Sequence, residues 1–262
     1  MKQRVLTAVI ALIIFVPIVI AGGIFVDIAG IFLGLVAMSE ILIMKKKLLV
    51  SPEAFLSWIG VFLVIVPATW LFSTFNIANP SFWIYLVAML FLLRTVVTKN
   101  TFSFDDAAVL FLAMFYVGNG FHYFIAARNA GLSVLFYALL IVWMTDSGAY
   151  LIGRKIGKHK LAPNVSPNKT WEGSVGGSII ATIVGVLWIC IYPIAGFNIF
   201  EMLIITVVLS IAGQFGDLVE SALKRYYRVK DSGKILPGHG GILDRFDSLI
   251  FILPLLHLFG II

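Results

Sequence analysis

One cysteine, Cys190, occurs in 262 residues. A single thiol excludes an intrachain disulfide and any Cys-based metal site. Its place in an apolar run reads as a small buried hydrophobe. Charge is also scarce. Asp, Glu, Lys and Arg make up 12% of the chain, about half of what a soluble domain carries. The four histidines are scattered, a poor fit for zinc. No GxxxxGKS or GxxxxGKT segment occurs, which excludes a P-loop enzyme. There is no internal repeat, so a transporter built from repeated halves is disfavoured. No small-residue cleavage pattern follows the first apolar run, so no cleaved signal is expected.

Apolar residues are what the chain has most of. They make up 61% of it, and mean hydropathy is +1.05. They come in continuous runs rather than alternating, which excludes a membrane barrel and leaves helices. The spacing predicts an all-α polytopic membrane protein in one domain, residues 1–262, with about nine spans. These are Val5–Ile20, Ile24–Met44, Ala54–Phe72, Ser81–Val97, Ala107–Ala127, Leu132–Ile152, Ser174–Ile191, Met202–Leu218 and Leu249–Ile262. A Gly22–Gly23 pair parts the first two, which predicts a tight hairpin. Residues 1–100 carry no diagnostic motif. Residues 101–262 carry the charged loops.

Of 19 Lys and Arg residues, all but Arg128 fall at the N-terminus, in loops after even-numbered spans or, for Arg94, in the last turn of one. The positive-inside rule therefore predicts a cytoplasmic N-terminus and cytoplasmic even loops. Lys45, Lys46 and Lys47 read as a topology anchor, with a lipid-headgroup patch as the alternative.

Charge concentrates from Gly213 to Asp247. Asp217, Glu220, Ser221, Lys224 and Arg225 fall at i, i+3, i+4, i+7 and i+8, on one helix face. Gly213 and Gly216 before them permit close helix approach. A salt-bridge ladder at a span end is the bland alternative, but Asp217 lies in apolar register, where an unpaired carboxylate is costly. Lys230 and Asp231 then lead into a loop holding Pro237, Gly238, His239, Gly240 and Gly241. Its backbone N–H groups suit phosphate oxygens. Asp244, Arg245 and Asp247 open the next helix, where Asp residues are also favoured simply by the helix dipole.

A second cluster runs from Asp146 to Gly177. Asp146 is a lone acid late in the sixth span. The block SPNKTWEG supplies Ser166, Asn168, Lys169, Thr170 and Glu172. Thr170 or Ser166 is placed to cap a helix. The functional alternative is a lid or nucleotide contact. Carboxylates with many cations and no usable thiol point to magnesium and phosphoryl or nucleotidyl transfer.

The run SALKRYYRVKDSGKILPGHGGILDRFD, with SPNKTWEG, resembles the signature blocks of the phosphatidate cytidylyltransferases. That resemblance implies transfer of CMP from CTP to phosphatidic acid, a divalent cation such as Mg2+ with room for a second, and a homodimer in the inner or plasma membrane. It implies no nucleic-acid partner. By position it makes Asp217 and Asp244 metal acids, with Asp146 a further candidate. Lys224, Arg225, Lys230, Asp231, His239 and Asp247 join them as catalytic candidates. Ser166, Asn168, Lys169, Thr170, Glu172, Ser221, Gly240, Gly241 and Arg245 become substrate-binding candidates. The rival expectations are a CTP-dependent kinase of isoprenoid alcohols and, from another class, a membrane transporter.

Overall fold

The computed structural model describes residues 2–67, 70 and 80–262. Within them the helices are α1 (Lys2–Ala21), α2 (Ile24–Met44), α3 (Pro52–Ile65), α4 (Pro80–Val97), α5 (Phe104–Ala130), α6 (Leu132–Ile156), α7 (Trp171–Ile191), α8 (Ile199–Tyr226) and α9 (Leu243–Leu258). Between α6 and α7 lies an antiparallel hairpin of β1 (Lys160–Ala162) and β2 (Ser166–Thr170), with Lys160 opposite Thr170 and Ala162 opposite Ser166. The protein is an all-α multi-pass membrane protein. Five of these helices, α2, α5, α6, α7 and α8, are long and apolar enough to cross a bilayer.

The elements follow the apolar runs, with three instructive departures. Helix α3 stops at Ile65, whereas the hydropathy run reaches Phe72. Val66, ahead of Pro67, is extended at φ −68° and ψ 130°, because the proline ring disfavours a helical residue before it. Residues 68, 69, 71 and 72 lie outside the described set. Helix α8 continues two turns past Leu218, so Asp217 to Arg225 are helical. Helix α9 begins at Leu243, six residues before the apolar run. Gly22 and Gly23 form the expected hairpin, both at positive φ (68° and 53°).

The chain divides into two compact units. Unit 1 holds Met1–Ile125 and Asp231–Asp244; unit 2 holds Ala126–Lys230 and Arg245–Ile262. In unit 1, Met38, Phe121 and Phe124 are fully buried. Lys45 and Lys47 clasp Asp106 at 2.6 and 2.8 Å, and Arg94 meets Glu53 at 2.7 Å. Two of the three Lys45–Lys47 cations are thus tied to the fold.

Unit 2 is built around close packing of α6 on α7. A Cβ at Gly177 would sit 2.5 Å from the Thr145 carbonyl oxygen, so only glycine lets the two backbones approach this far. Hydroxyls then link three helices. Tyr137 and Thr206 are 2.7 Å apart, Thr145 and Ser210 2.8 Å apart, and Ser210 donates to Ser178 at 3.0 Å. In a lipid-solvated bundle such cross-helix bonds replace part of the missing hydrophobic drive.

Val175, Ile179, Ile183, Leu187 and Ile191 form an uncovered apolar stripe along α7. Cys190 is likewise exposed on that helix, which corrects the expectation of burial. An apolar side chain in a membrane protein escapes water in lipid as readily as in protein.

Candidate active site

Thr170 starts the site. Its side chain accepts from the Gly173 N–H and caps α7, so of the two proposed caps it is Thr170, with Ser166 opening β2 instead. Thr170→Ala is expected to lower unfolding stability by about 1 kcal/mol, read as the shift in a detergent-solubilised denaturation midpoint. Glu172, one residue into the helix, accepts from the backbone N–H groups of Lys158 (3.1 Å) and His159, and meets His159 Nδ1 at 2.6 Å. It therefore holds the entry to the hairpin.

The hairpin in turn is tied to α8. Lys169 Nζ lies 2.5 Å from Asp217 Oδ2, and Arg225 Nε donates to the Val165 carbonyl at 3.3 Å. Ser221 donates to Asp217 Oδ1 at 3.2 Å, and Lys224 pairs with the buried Glu220. The one-face spacing read from the sequence is thus realised as a ladder, but its first acid is bonded to a lysine 48 positions away in the chain.

Asp146, Tyr150, Arg154, Asn168, Lys169 and Asp217 line a cavity of about 430 Å³. Asp146, Asp217 and Asp247 lie within electrostatic reach of one another, as do Lys169 and Arg245 of Asp146, and Lys224 of Asp247. Asp247 Oδ1 also accepts the Ser248 N–H at 2.7 Å. Beside the cavity runs an apolar groove of about 760 Å³ between α7 and α8, walled by Trp171, Val175, Ile179, Val207, Ile211 and Phe215. Leu161, Ser174 and Gln214 line both spaces. A charged space thus adjoins a greasy one, with Gln214 donating to Ser178 at 2.9 Å on the shared wall.

Unit 1 holds the remaining motif. Leu236 and Gly240 form a bridge that closes the loop around Pro237, Gly238 and His239. His239 Nδ1 is buried with no partner among the described residues. Asp244 is buried, and its Oδ2 accepts from Ser232 N (2.8 Å), Ser232 Oγ (2.9 Å) and Gly241 N (2.8 Å). Asp231 and Lys230 are exposed. Asp217 and Asp244 belong to different units. Among the described residues no group of three or more His, Cys, Asp or Glu side chains is arranged to hold a metal ion.

Sequence reasoning passed over Gln214, Ser232 and above all Glu40. Glu40 was visible as an acid deep in the apolar run Ile24–Met44, with only Asp27 in the first turn beside it, and an intramembrane carboxylate is a functional candidate in its own right.

The Cytidylyltransferase family profile matches residues 2–262. The chain belongs to the cytidylyltransferase family. It is 48% identical over 260 residues to a phosphatidate cytidylyltransferase of Staphylococcus haemolyticus, covering 98% of each chain. It is 46% identical over 266 residues to that of Staphylococcus aureus strain COL, again with 98% of each covered. With that of Bacillus subtilis strain 168 it shares 46% over 261 residues, 98% of this chain and 96% of the relative. The similarity runs through the N-terminal helices as well as the charged loops, so the half without a diagnostic motif belongs to the same family domain.

Proposed function

We propose that the chain is a phosphatidate cytidylyltransferase, which converts CTP and phosphatidic acid to CDP-diacylglycerol and pyrophosphate in phospholipid biosynthesis. The observation that carries this, beside family membership, is the charged cavity of Asp217 and Lys169 sharing a wall with the apolar groove of α7 and α8. An anionic headgroup on two acyl chains needs both environments at once. The groove lies along the uncovered face of α7, so the lipid enters sideways from the bilayer.

An oxygen of the phosphatidate monoester forms a bond to the α-phosphorus of CTP. The bond from that phosphorus to the α,β-bridging oxygen breaks, and pyrophosphate leaves. The monoester is largely dianionic near pH 7, so no general base is required. Lys169, Lys224, Arg225 and Lys230 neutralise phosphate charge. Asn168 and Arg154 supply donors on the cavity wall; a phosphate-orienting role for His239 follows from its motif position alone.

The donor chemistry suits a hard divalent cation, since carboxylates line the cavity and thiols are absent. Asp217 and Asp146 would hold magnesium there, and the ion supplies charge neutralisation on phosphate oxygens. Asp244 as a metal acid, and a second cation, rest on motif position alone. We assign nine spans, a cytoplasmic N-terminus and a site at the cytoplasmic edge from the distribution of basic residues. A homodimer and a plasma-membrane location follow from the family resemblance.

The test uses purified full-length protein in detergent–lipid micelles with α-labelled CTP, phosphatidic acid and magnesium. Lipid-extractable label that depends on both additions is the expected result. Label remaining in water as CDP, with γ-label passing to an alcohol acceptor, would establish the kinase instead. No nucleotide turnover would reopen a transport role.

A further inference from the structure

Glu40 sits near the end of α2, a helix with no other acid beyond its first turn. It is 3% exposed. A buried carboxylate is tolerated only when its oxygens are fully engaged. Those of Glu40 are, and their hydrogen-bond partners among the described residues come from one distant stretch. Ile242 N donates at 2.7 Å, Leu243 N at 2.9 Å and Ser232 Oγ at 2.9 Å. Ile242 and Leu243 lie at the start of α9, where N–H groups have no carbonyl within the helix to bond. Glu40 thus caps α9 from some 200 residues away, with its charge at the favourable end of the dipole.

Ser232 Oγ lies 2.9 Å from Glu40 Oε2 and 2.9 Å from Asp244 Oδ2. A hydroxyl has one hydrogen to donate, so the two carboxylates share it. The loop glycines are shaped to this pair. A Cβ at Gly233 would meet Glu40 Oε1 at 2.6 Å, one at Gly241 would collide with both Glu40 and Ser232, and one at Gly240 with Asp244. Three glycines of the signature loop are therefore needed because two carboxylates fill the space inside it.

We propose that Glu40 is a positioning residue for cytidylyl transfer: through Ser232 and the first N–H groups of α9 it sets the loop 231–243 and the direction of the Asp244 carboxylate. The inference rests on the transferase function proposed above. A misplacement of about 1 Å at a reacting centre costs about 10²-fold in rate, so a loop held by one buried acid is sensitive to its loss.

The test compares wild type, Glu40→Gln, Glu40→Asp and Ser232→Ala as full-length protein in detergent–lipid micelles. Transfer kinetics, thermal midpoint and amide hydrogen exchange over 241–243 are read for each. Glu40→Gln keeps the shape but turns one acceptor into a donor facing donors. Its kcat is expected to fall about 10²-fold, with KM for CTP within about threefold and lost protection confined to the loop. Glu40→Asp, which keeps the charge, is expected to recover part of kcat. Folded Glu40→Gln with near-wild-type kcat and loop protection would overturn the proposal, as would equal loss of kcat in the Asp and Gln variants.

If Glu40→Gln does not fold, Ser232→Ala decides. A fall of about tenfold or more in kcat at an unchanged midpoint supports the coupling, and wild-type turnover sinks it. Wild-type protein without any transfer would count against the proposed reaction, and the exchange pattern over 241–243 would still decide whether Glu40 sets the loop.

Discussion

Asp217→Ala is expected to lower cytidylyl transfer by on the order of 10²–10³-fold while leaving insertion and folding intact, the cost usual for deleting one preorganised electrostatic group. Asp217 is the acid on which unit 2 converges. It takes Lys169 on Oδ2 and Ser221 on Oδ1, faces the polar cavity and lies within reach of Asp146 and Asp247. Its removal leaves Lys169 without the partner it has here and strips the cavity of one of the two carboxylates proposed to hold the cation.

Asp217→Asn separates charge from shape. The amide retains an acceptor for Ser221 but holds neither a lysine nor a metal ion well. Activity near wild type in folded Asp217→Asn would refute the charge role. A double-mutant cycle with Lys169→Met measures how far the two act together. Strictly additive losses would show that the 2.5 Å pair in the free protein is not kept during turnover.

The second large effect is expected at Gly216. A Cβ there would lie 2.5 Å from the Asp247 carbonyl oxygen and 3.1 Å from Ser248 Cα. Both are backbone atoms of α9, so no side chain can swing away to make room. In an isolated helix Gly→Ala gains about 1 kcal/mol. Here overpacking of about 1–3 kcal/mol must be set against it, and the close contact places the balance on the destabilising side. Gly216 directly precedes Asp217, so separating α8 from α9 moves the acid that carries the site.

Gly216→Ala is therefore expected to lower the unfolding midpoint and to reduce kcat by about 10²-fold. Both are measurable on one micelle preparation. A raised midpoint would mean that helix propensity outweighs the contact. Unchanged kcat would mean that Asp217 does not depend on the α8–α9 approach. Gly213 approaches the side chain of Ile252, which can turn aside, so Gly213→Ala serves as the milder control.

The parts legible in the sequence are those set by local or compositional physics. Continuous apolar runs require helices, because lipid offers the backbone no partners, and eight of the nine runs overlap helices α1, α2 and α4–α9, with α8 reaching past the end of its run and α9 starting ahead of its own. The run ending at Phe72 is cut short by Pro67, and that signal too was local. The i, i+3, i+4 spacing of Asp217, Glu220, Ser221 and Lys224 determined their common face. A cap at Thr170 or Ser166, of which the fold uses Thr170, and Gly213 and Gly216 as points of close approach, were readable because each depends on residue size or side-chain chemistry at one position.

Tertiary structure decided who meets whom. Nothing near Asp217 in the chain announces Lys169 as its partner, since the pair forms only when the β1–β2 hairpin folds back along α8. The charged cavity and the apolar groove share a wall because Leu161, Ser174 and Gln214 come from three separate segments. Glu40 has the plainest lesson. Its burial cost is written in the sequence, but the donors that meet that cost lie at Ser232, Ile242 and Leu243. A periodic pattern reports which face of an element is polar. Only the folded chain reports what that face is bonded to, because hydrogen bonds and ion pairs depend on distances in space, to which separation along the chain is no guide.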